Sequence, residues 1–252
     1  MSEFFLELFS EEIPAGLQKN LREKIFEDFK NLFEEKSIRS KKNFSFSTPN
    51  RLVLVFEGLD KQIKIKSKEI RGPKTSAPEQ ALEGFLRSNK INKKDLFKKK
   101  TEKDEFYFYK TVATSLKTHD LLTEFIPKIL SNYQWKKSMK WGEFDLNWGR
   151  PLKSILSIFD KKIVSFKFHH LTSSNLTFLD KDFEEKKRSF ENFKKYEKFF
   201  EDNGVIVNQN KRLKIINKSF LKILGKKGLK INENPKLMDE VVNLVDSPNV
   251  LL

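Results

Sequence analysis

The run RLVLVFEGL, residues 51–59, most constrains what this chain can become. It is rich in Val and Leu and follows the turn formers Thr48-Pro49-Asn50, a pattern that specifies a β-strand. A strand so apolar needs neighbours in a sheet and cover for that sheet. FFLELF at residues 4–9 is bulky and alternates only weakly, so it supplies a first strand. Between the two, Leu17, Leu21, Ile25, Phe29 and Leu32 follow Pro14 at near-helical spacing, which predicts an amphipathic helix over 15–36. Phe44 and Phe46 alternate with serines, and Ile63 and Ile65 with lysines, as in half-exposed strands. Strands flanking a turn after a helix point to an α+β layer.

Further along, EIRGPKTSAPEQALEGFLRS (69–88) combines a basic pair, a Gly-Pro step and a helical pattern. Arg71-Gly72-Pro73 is expected to end a strand and turn the chain. Pro78 or a neighbour then starts a helix, with Ala81 and Gly84 leaving room for close packing. Residues 91–105 are polar and very basic, which suggests a surface connection or a frayed helix. EFYFYKTVA (105–113) reads as a strand, and the stripe from Leu121 to Tyr133 as a helix. KSMKWGEFDLNWGRP (137–151) holds two Trp-Gly pairs and reads as ordered loop. The apolar run 152–160 and the alternating run 162–168 read as a helix–strand unit, with the paired His169 and His170 at the strand end. The charge run 179–189 is the candidate linker. Three helices follow: 190–202, capped by Ser189 and ended by Gly204; 212–224; and one from Pro235 through Val245.

The expected fold class is α+β, with mixed or antiparallel sheets, packed helices and a more helical C-terminal third. Three regions are expected: 1–134, 135–180 and 181–252. The last residues, SPNVLL, are apolar and strand-like, which suggests the front part of a longer protein.

With 38% hydrophobic residues, 25 Phe among them, the 252-residue chain can fill a core despite 34% charge. It has no cysteine, which removes disulfides, thiolate metal sites and a Cys nucleophile. The acidic start MSEFFLELFSEE is not a signal peptide, and no run approaches the roughly 20 apolar residues that span a bilayer. The net charge of +15 is uneven: residues 1–36 carry five Lys/Arg against nine Asp/Glu, so the remainder carries +19. Such a field attracts polyanions, with RNA the first candidate; a solvated Lys-rich surface is the alternative.

Candidate chemistry is sparse. RGPKTSAPE has one glycine where a phosphate loop needs several, and Pro73 lacks the backbone donor. Three histidines, two of them adjacent, do not make a zinc pattern. No Gly-x-Ser-x-Gly occurs. No catalytic or metal-binding residue is therefore assigned. The RNA-binding candidates are Arg71 and Lys74; Lys136, Lys137 and Lys140 with Trp141, beside Trp135; and Arg150 with Lys153. Cations beside aromatics can hold phosphates and stack bases. The alternative is that Trp135, Trp141 and Trp148 anchor the core and the lysines are solvated.

Five ordered segments carry a family resemblance: FFLELFSEEIPAGL, STPNRLVLVFEGL, EIRGPKTSAPEQALEGFLRS, KSMKWGEFDLNWGRPLKSILSIFD and LMDEVVNLVDSPNVLL. Together they resemble the N-terminal part of the β subunit of bacterial-type glycyl-tRNA synthetase. The matching points are Glu11 to Pro14, Thr48 to Leu52, Arg71 to Pro73 with Gly84-Phe85, Met139 to Gly142, and Arg150-Pro151. The resemblance implies a cytoplasmic assembly of two α and two β chains that attaches glycine to tRNA-Gly. It implies that ATP, with Mg, binds the α subunit and that this chain binds no cofactor and no membrane. The β chain would supply tRNA recognition and assembly, with a front region similar to a module of the phenylalanyl-tRNA synthetase β chain. The family's HD-like and anticodon-binding domains do not fit within 252 residues. The chain also departs from the family: the usual Arg-Gly-His-Arg-Phe segment after residue 170 is replaced by SSNLTFLDKDFEEKK. Two other classes remain open, a stand-alone RNA-binding scaffold and an editing-type hydrolase of mischarged tRNA, the latter on fold analogy alone.

Overall fold

In the computed structural model, residues 2–65, 67–101, 104–179, 187–228, 232 and 234–251 are described. The elements in chain order are β1 (Glu3–Ser10), α1 (Ala15–Glu35), β2 (Lys42–Thr48), β3 (Arg51–Glu57), β4 (Gln62–Ile65), β5 (Glu69–Lys74), α2 (Glu79–Asn89), β6 (Leu96–Lys100), β7 (Glu105–Lys110) and β8 (Thr114–Lys117). There follow α3 (Thr118–Asn132), β9 (Leu152–Phe159), β10 (Lys162–Ile163), β11 (Lys167–Phe168), β12 (Leu171–Thr172), β13 (Leu176–Phe178), β14 (Lys187–Ser189), α4 (Phe193–Asp202), α5 (Gln209–Lys227) and α6 (Pro235–Leu244). The fold is α+β with antiparallel sheets, and α4, α5 and α6 make the C-terminal third helical. No described helix is long and apolar enough to cross a membrane.

The chain forms two units, one of residues 1–61 and 117–252, the other of residues 62–116. The first is built on a five-stranded sheet of order β10-β9-β1-β3-β2. β1 lies at its centre, and both faces of β1 are buried. Successive side chains of a strand point to opposite faces, which explains the weak alternation of FFLELF: neither face meets water. Phe4 points toward α1, where Phe29, Phe33 and Phe56 surround it at ring-centroid distances of 5.4–6.4 Å. Phe5 points the other way and meets Phe193 and Tyr196 of α4 at 5.6 and 4.9 Å. A second core of Phe46, Val53, Val55, Leu156, Ile158, Phe190 and Phe200 gathers on that side.

The run 152–160, expected to be a helix, is instead β9, paired with β1 from Phe4↔Phe159 to Ser10↔Leu152. Ile155, Leu156, Ile158 and Phe159 are all buried. A short apolar run has no periodicity that separates a buried helix from a doubly covered strand, and pairing with β1 decides it. The run 162–168 is two short strands, β10 and β11, rather than one. Asn192, not Ser189, caps α4: its side chain accepts the Lys195 N–H at 2.9 Å, while Ser189 ends β14. Most of the linker candidate, residues 180–186, lies outside the described residues.

The second unit contains a three-stranded sheet of order β5-β7-β6. The basic segment expected to be a connection or frayed helix supplies β6, paired residue for residue with β7 from Leu96↔Tyr109 to Lys100↔Glu105. Arg71-Gly72-Pro73 does not turn the chain. Arg71 pairs with Phe108 and Lys74 with Phe106, so Gly72 and Pro73 together oppose Tyr107 as a β-bulge. β5 is an edge strand, and at a bulge on an edge the missing N–H of Pro73 costs no ladder bond. The close approach is at Gly72, where a Cβ would sit 3.0 Å from the Phe85 ring, while Gly84 has open space around it.

A candidate nucleic-acid interface

The chain leaves α3 at Tyr133 and returns to the sheet at β9 through a loop pinned at its base. Met139 N–H donates to Trp148 O at 2.8 Å, and Trp148 N–H donates to Met139 O at 3.2 Å. Inside this clasp Trp148 is buried, with Trp135 edge-on at 5.0 Å and Phe168 edge-on at 5.8 Å. Gly149 is required here by contact: a Cβ would lie 2.1 Å from Trp135 Cζ3. Trp135 and Trp148 are thus anchors that hold the loop's shape.

On the outer side the chemistry changes. Lys136, Lys137 and Lys140 are exposed, and Phe144 is 44% exposed. Phe144 stacks on His170 with ring centroids 3.7 Å apart and planes 10° from parallel. Trp141, half-buried, meets His170 edge-on at 6.0 Å. His170 reaches this position because the His169-His170 pair forms the two-residue turn between β11 and β12, with His169 at φ 51°. A two-residue hairpin turn favours positive φ at its first residue, and His is among the side chains that tolerate it. The two rings therefore go to different places: His169 lies edge-on to Phe168, while His170 joins the loop. Burial first, then the coulombic influence of the neighbouring His169, lowers the His170 pKa. Two buried ring nitrogens in the cluster, Trp135 Nε1 and His170 Nδ1, meet no hydrogen-bond partner among the described residues.

The remaining candidates are placed differently. Arg150 is half-buried and its Nη1 donates to Gly149 O at 2.9 Å, bracing the end of the loop. Lys153 sits on β9 and pairs with Glu11 at 2.5 Å. Arg71 and Lys74 belong to the sheet of the second unit, where the Arg71 guanidinium lies 3.5 Å from the Phe106 ring centroid and Lys74 pairs with Asp104 at 2.6 Å. Sequence reading missed Phe144 and His170 as members of the cluster. Phe144 sits among Lys140, Trp141 and Gly142, but nothing in the order of residues announces that a histidine 26 positions later covers it.

The loop carries flat, partly exposed rings and exposed ammonium groups, which suits bases and phosphates. Among the described residues, no three His, Cys, Asp or Glu side chains converge as a metal ion requires.

The glycyl-tRNA synthetase beta subunit family model matches residues 4–252. The chain is similar to the glycine--tRNA ligase beta subunit of Rickettsia canadensis (strain McKiel), 37% identical over 252 residues. It is also similar to that of Rickettsia bellii (strain OSU 85-389), 38% identical over 251 residues. Each alignment covers all of this chain and 38% of the relative, so the chain spans 38% of the length of the curated relatives it matches.

Proposed function

The chain belongs to the glycyl-tRNA synthetase beta subunit family, and from that premise we propose that it serves glycine–tRNA ligation as a tRNA-binding and assembly part rather than as the catalytic core. ATP and Mg act at the α subunit, in a cytoplasmic assembly of two α and two β chains that charges tRNA-Gly. The observation that carries the tRNA role is the Phe144–His170 stack on a loop that also carries the exposed Lys136, Lys137 and Lys140. The lysines neutralise backbone phosphates and release counterions, which gives affinity without sequence information. The rings give unpaired bases a surface to stack on. Capture by this surface would place the tRNA for delivery of its end to the α subunit.

The test measures glycylation of tRNA with the full-length β chain, its α partner, and both together. Activity only from the mixture supports the proposal; glycylation by the β chain alone overturns it. Loss of tRNA affinity as salt rises is expected, and a flat salt response would remove the electrostatic argument.

A further inference from the structure

The second unit carries a face that the loop of the first unit does not explain. Between residues 62 and 116 there are fourteen Lys/Arg against seven Asp/Glu, a net of +7. Cross-strand partners share a face of a sheet, so the register assigns the positions. Arg71, Phe108 and Phe97 form one row; Lys74, Phe106 and Lys99 form the next. Ring and cation distances agree with this placement. Phe97 and Phe108 stack at 6.0 Å and 25°. The Lys99 ammonium lies 5.6 Å from the Phe108 centroid, and that of Lys74 6.0 Å from Phe106. The bulge turns Gly72 to the opposite face, with Phe85 of α2 against it.

Lysines on an edge strand alone would be read as protection against sheet-to-sheet pairing. Arg71 is different. Its guanidinium lies 3.5 Å from the Phe106 centroid, yet the residue is exposed. Among the described residues its side chain makes no hydrogen bond or ion pair, only this stack. The outer side of a planar cation is thus presented, backed by an aromatic ring. Phe97, 38% exposed, offers a second flat surface on β6, the opposite edge strand of this sheet. Among the described residues, the ion pairs of Lys99 and Lys74 are exposed ones, to Glu69 at 2.9 Å and Asp104 at 2.6 Å. Such pairs are worth little and exchange readily for a phosphate.

We infer that this face of the β5-β7-β6 sheet binds an unpaired stretch of RNA. One base stacks on the Arg71 guanidinium and one on Phe97, while Lys74 and Lys99 hold the phosphates. A paired helix would not serve, because its bases present no free faces to stack. The choice of RNA over another polyanion rests on the proposed function above; the location and the single-stranded preference rest on the Arg71 and Phe97 geometry.

The test uses the 252-residue chain and fluorescence anisotropy with a labelled single-stranded RNA oligonucleotide, its duplex form, and a polyglutamate competitor. Arg71→Lys keeps the charge but removes the plane. It and Phe97→Ala are each expected to weaken single-strand binding about 5- to 150-fold with an unchanged salt slope. Lys99→Ala is expected to lower that slope by about 0.7. The triple variant Lys136→Ala, Lys137→Ala, Lys140→Ala separates this inference from the loop reading. Far-UV circular dichroism selects variants that retain the fold, and Arg71→Ala replaces any that does not. Wild-type affinity in both Arg71→Lys and Phe97→Ala, equal losses for duplex and single strand, or equal competition by polyglutamate would each overturn the inference. If the loop triple alone abolished binding, this face would fail while the tRNA reading stood; no RNA binding by the wild-type chain would sink both.

Discussion

The phenol of Tyr196 on α4 donates a hydrogen bond to Glu7 Oε1 at 2.6 Å, joining the centre of β1 to a helix 189 positions further along the chain. The same carboxylate oxygen lies 3.1 Å from Arg51 Nε, and both side chains are buried. Arg51 is held between Phe9 and Phe200, with ring centroids 4.7 and 4.6 Å from its Cζ. Its Nη2 also donates to the carbonyls of Phe178 and Leu179, at 2.5 and 3.0 Å. A charged group taken out of water is tolerated only with partners of this kind.

Removing one partner should therefore cost more than an average core change. Arg51→Met leaves the Glu7 carboxylate buried without its counter-charge and is expected to lower unfolding free energy by about 3–5 kcal/mol. Tyr196→Phe, which deletes one hydrogen bond to a carboxylate, is expected to cost about 1.5–3 kcal/mol. Urea unfolding measures both, and equal costs would show that Arg51 acts through packing alone.

The same network gives a pH dependence. Burial pushes the Glu7 carboxyl above its ordinary value of 4.5 despite the opposing Arg51 charge. Burial likewise raises Glu3, against the Phe193 N–H it accepts. A carboxyl whose folded pKa is raised contributes stability that is complete below the unfolded pKa and is lost as pH rises through the folded one. Glu7→Gln removes that titration. Its stability deficit should be largest at and below pH 4.5, the ordinary glutamate value, and shrink as pH rises. A deficit that grew with pH would mean that the Arg51 attraction outweighs burial.

Gly149→Ala should disturb the loop from its base. The added carbon would lie 2.1 Å from Trp135, which must move. A loss of about 1–3 kcal/mol is expected, with a changed near-ultraviolet circular dichroism spectrum from the Trp135–Trp148 pair. An unchanged spectrum would contradict the close packing.

On the outer side of the loop, charge and stacking can be separated by salt titration of tRNA binding. Replacing Lys136, Lys137 and Lys140 by Ala should reduce the slope of log K against log salt by about 0.7–0.9 for each phosphate no longer neutralised. Phe144→Ala should weaken binding by about 1–3 kcal/mol with no change in slope. A slope unaffected by the triple change would place the tRNA phosphates elsewhere.

A second buried arginine is held by carbonyls instead of a carboxylate. Arg212 donates to the carbonyls of Val242 at 3.0 Å, Ile206 at 2.6 Å, Val207 at 3.0 Å and Ser47 at 2.8 Å. It clamps β2, the α4–α5 connection and α6, and burial lowers its pKa to about 10. Arg212→Met leaves these acceptors without a donor and should cost about 3 kcal/mol or more. Arg212→Lys, a point charge in place of a planar fork, should recover only part of that in the same urea titration.

Much of the architecture was legible because local patterns and tertiary structure agree. RLVLVF is strand β3, the Leu17–Leu32 stripe is α1, and Pro235 opens α6. Legibility failed where the deciding contact lies far away in sequence. The run 152–160 is a strand because β1 pairs with it, and the Lys-rich 96–100 segment is a strand because β7 does. Asn192 caps α4 although Ser189 has the same capping chemistry, since Ser189 is already paired with Leu176.

The order of residues by itself determined the family, the α+β class, the basic character beyond the first 36 residues and the stretches that carry cations beside rings. Periodicity, turn residues and charge are local quantities, so they can be read along a chain. Tertiary structure alone decided which of those cations are held and how. Arg51 and Arg212 are buried in networks, Lys153 is paired with Glu11, and Arg71 lies flat on Phe106. It also brought His170 onto Phe144. Burial and partnership depend on side chains that meet across the sheet and around loops, and their distances in space bear no relation to their spacing in sequence.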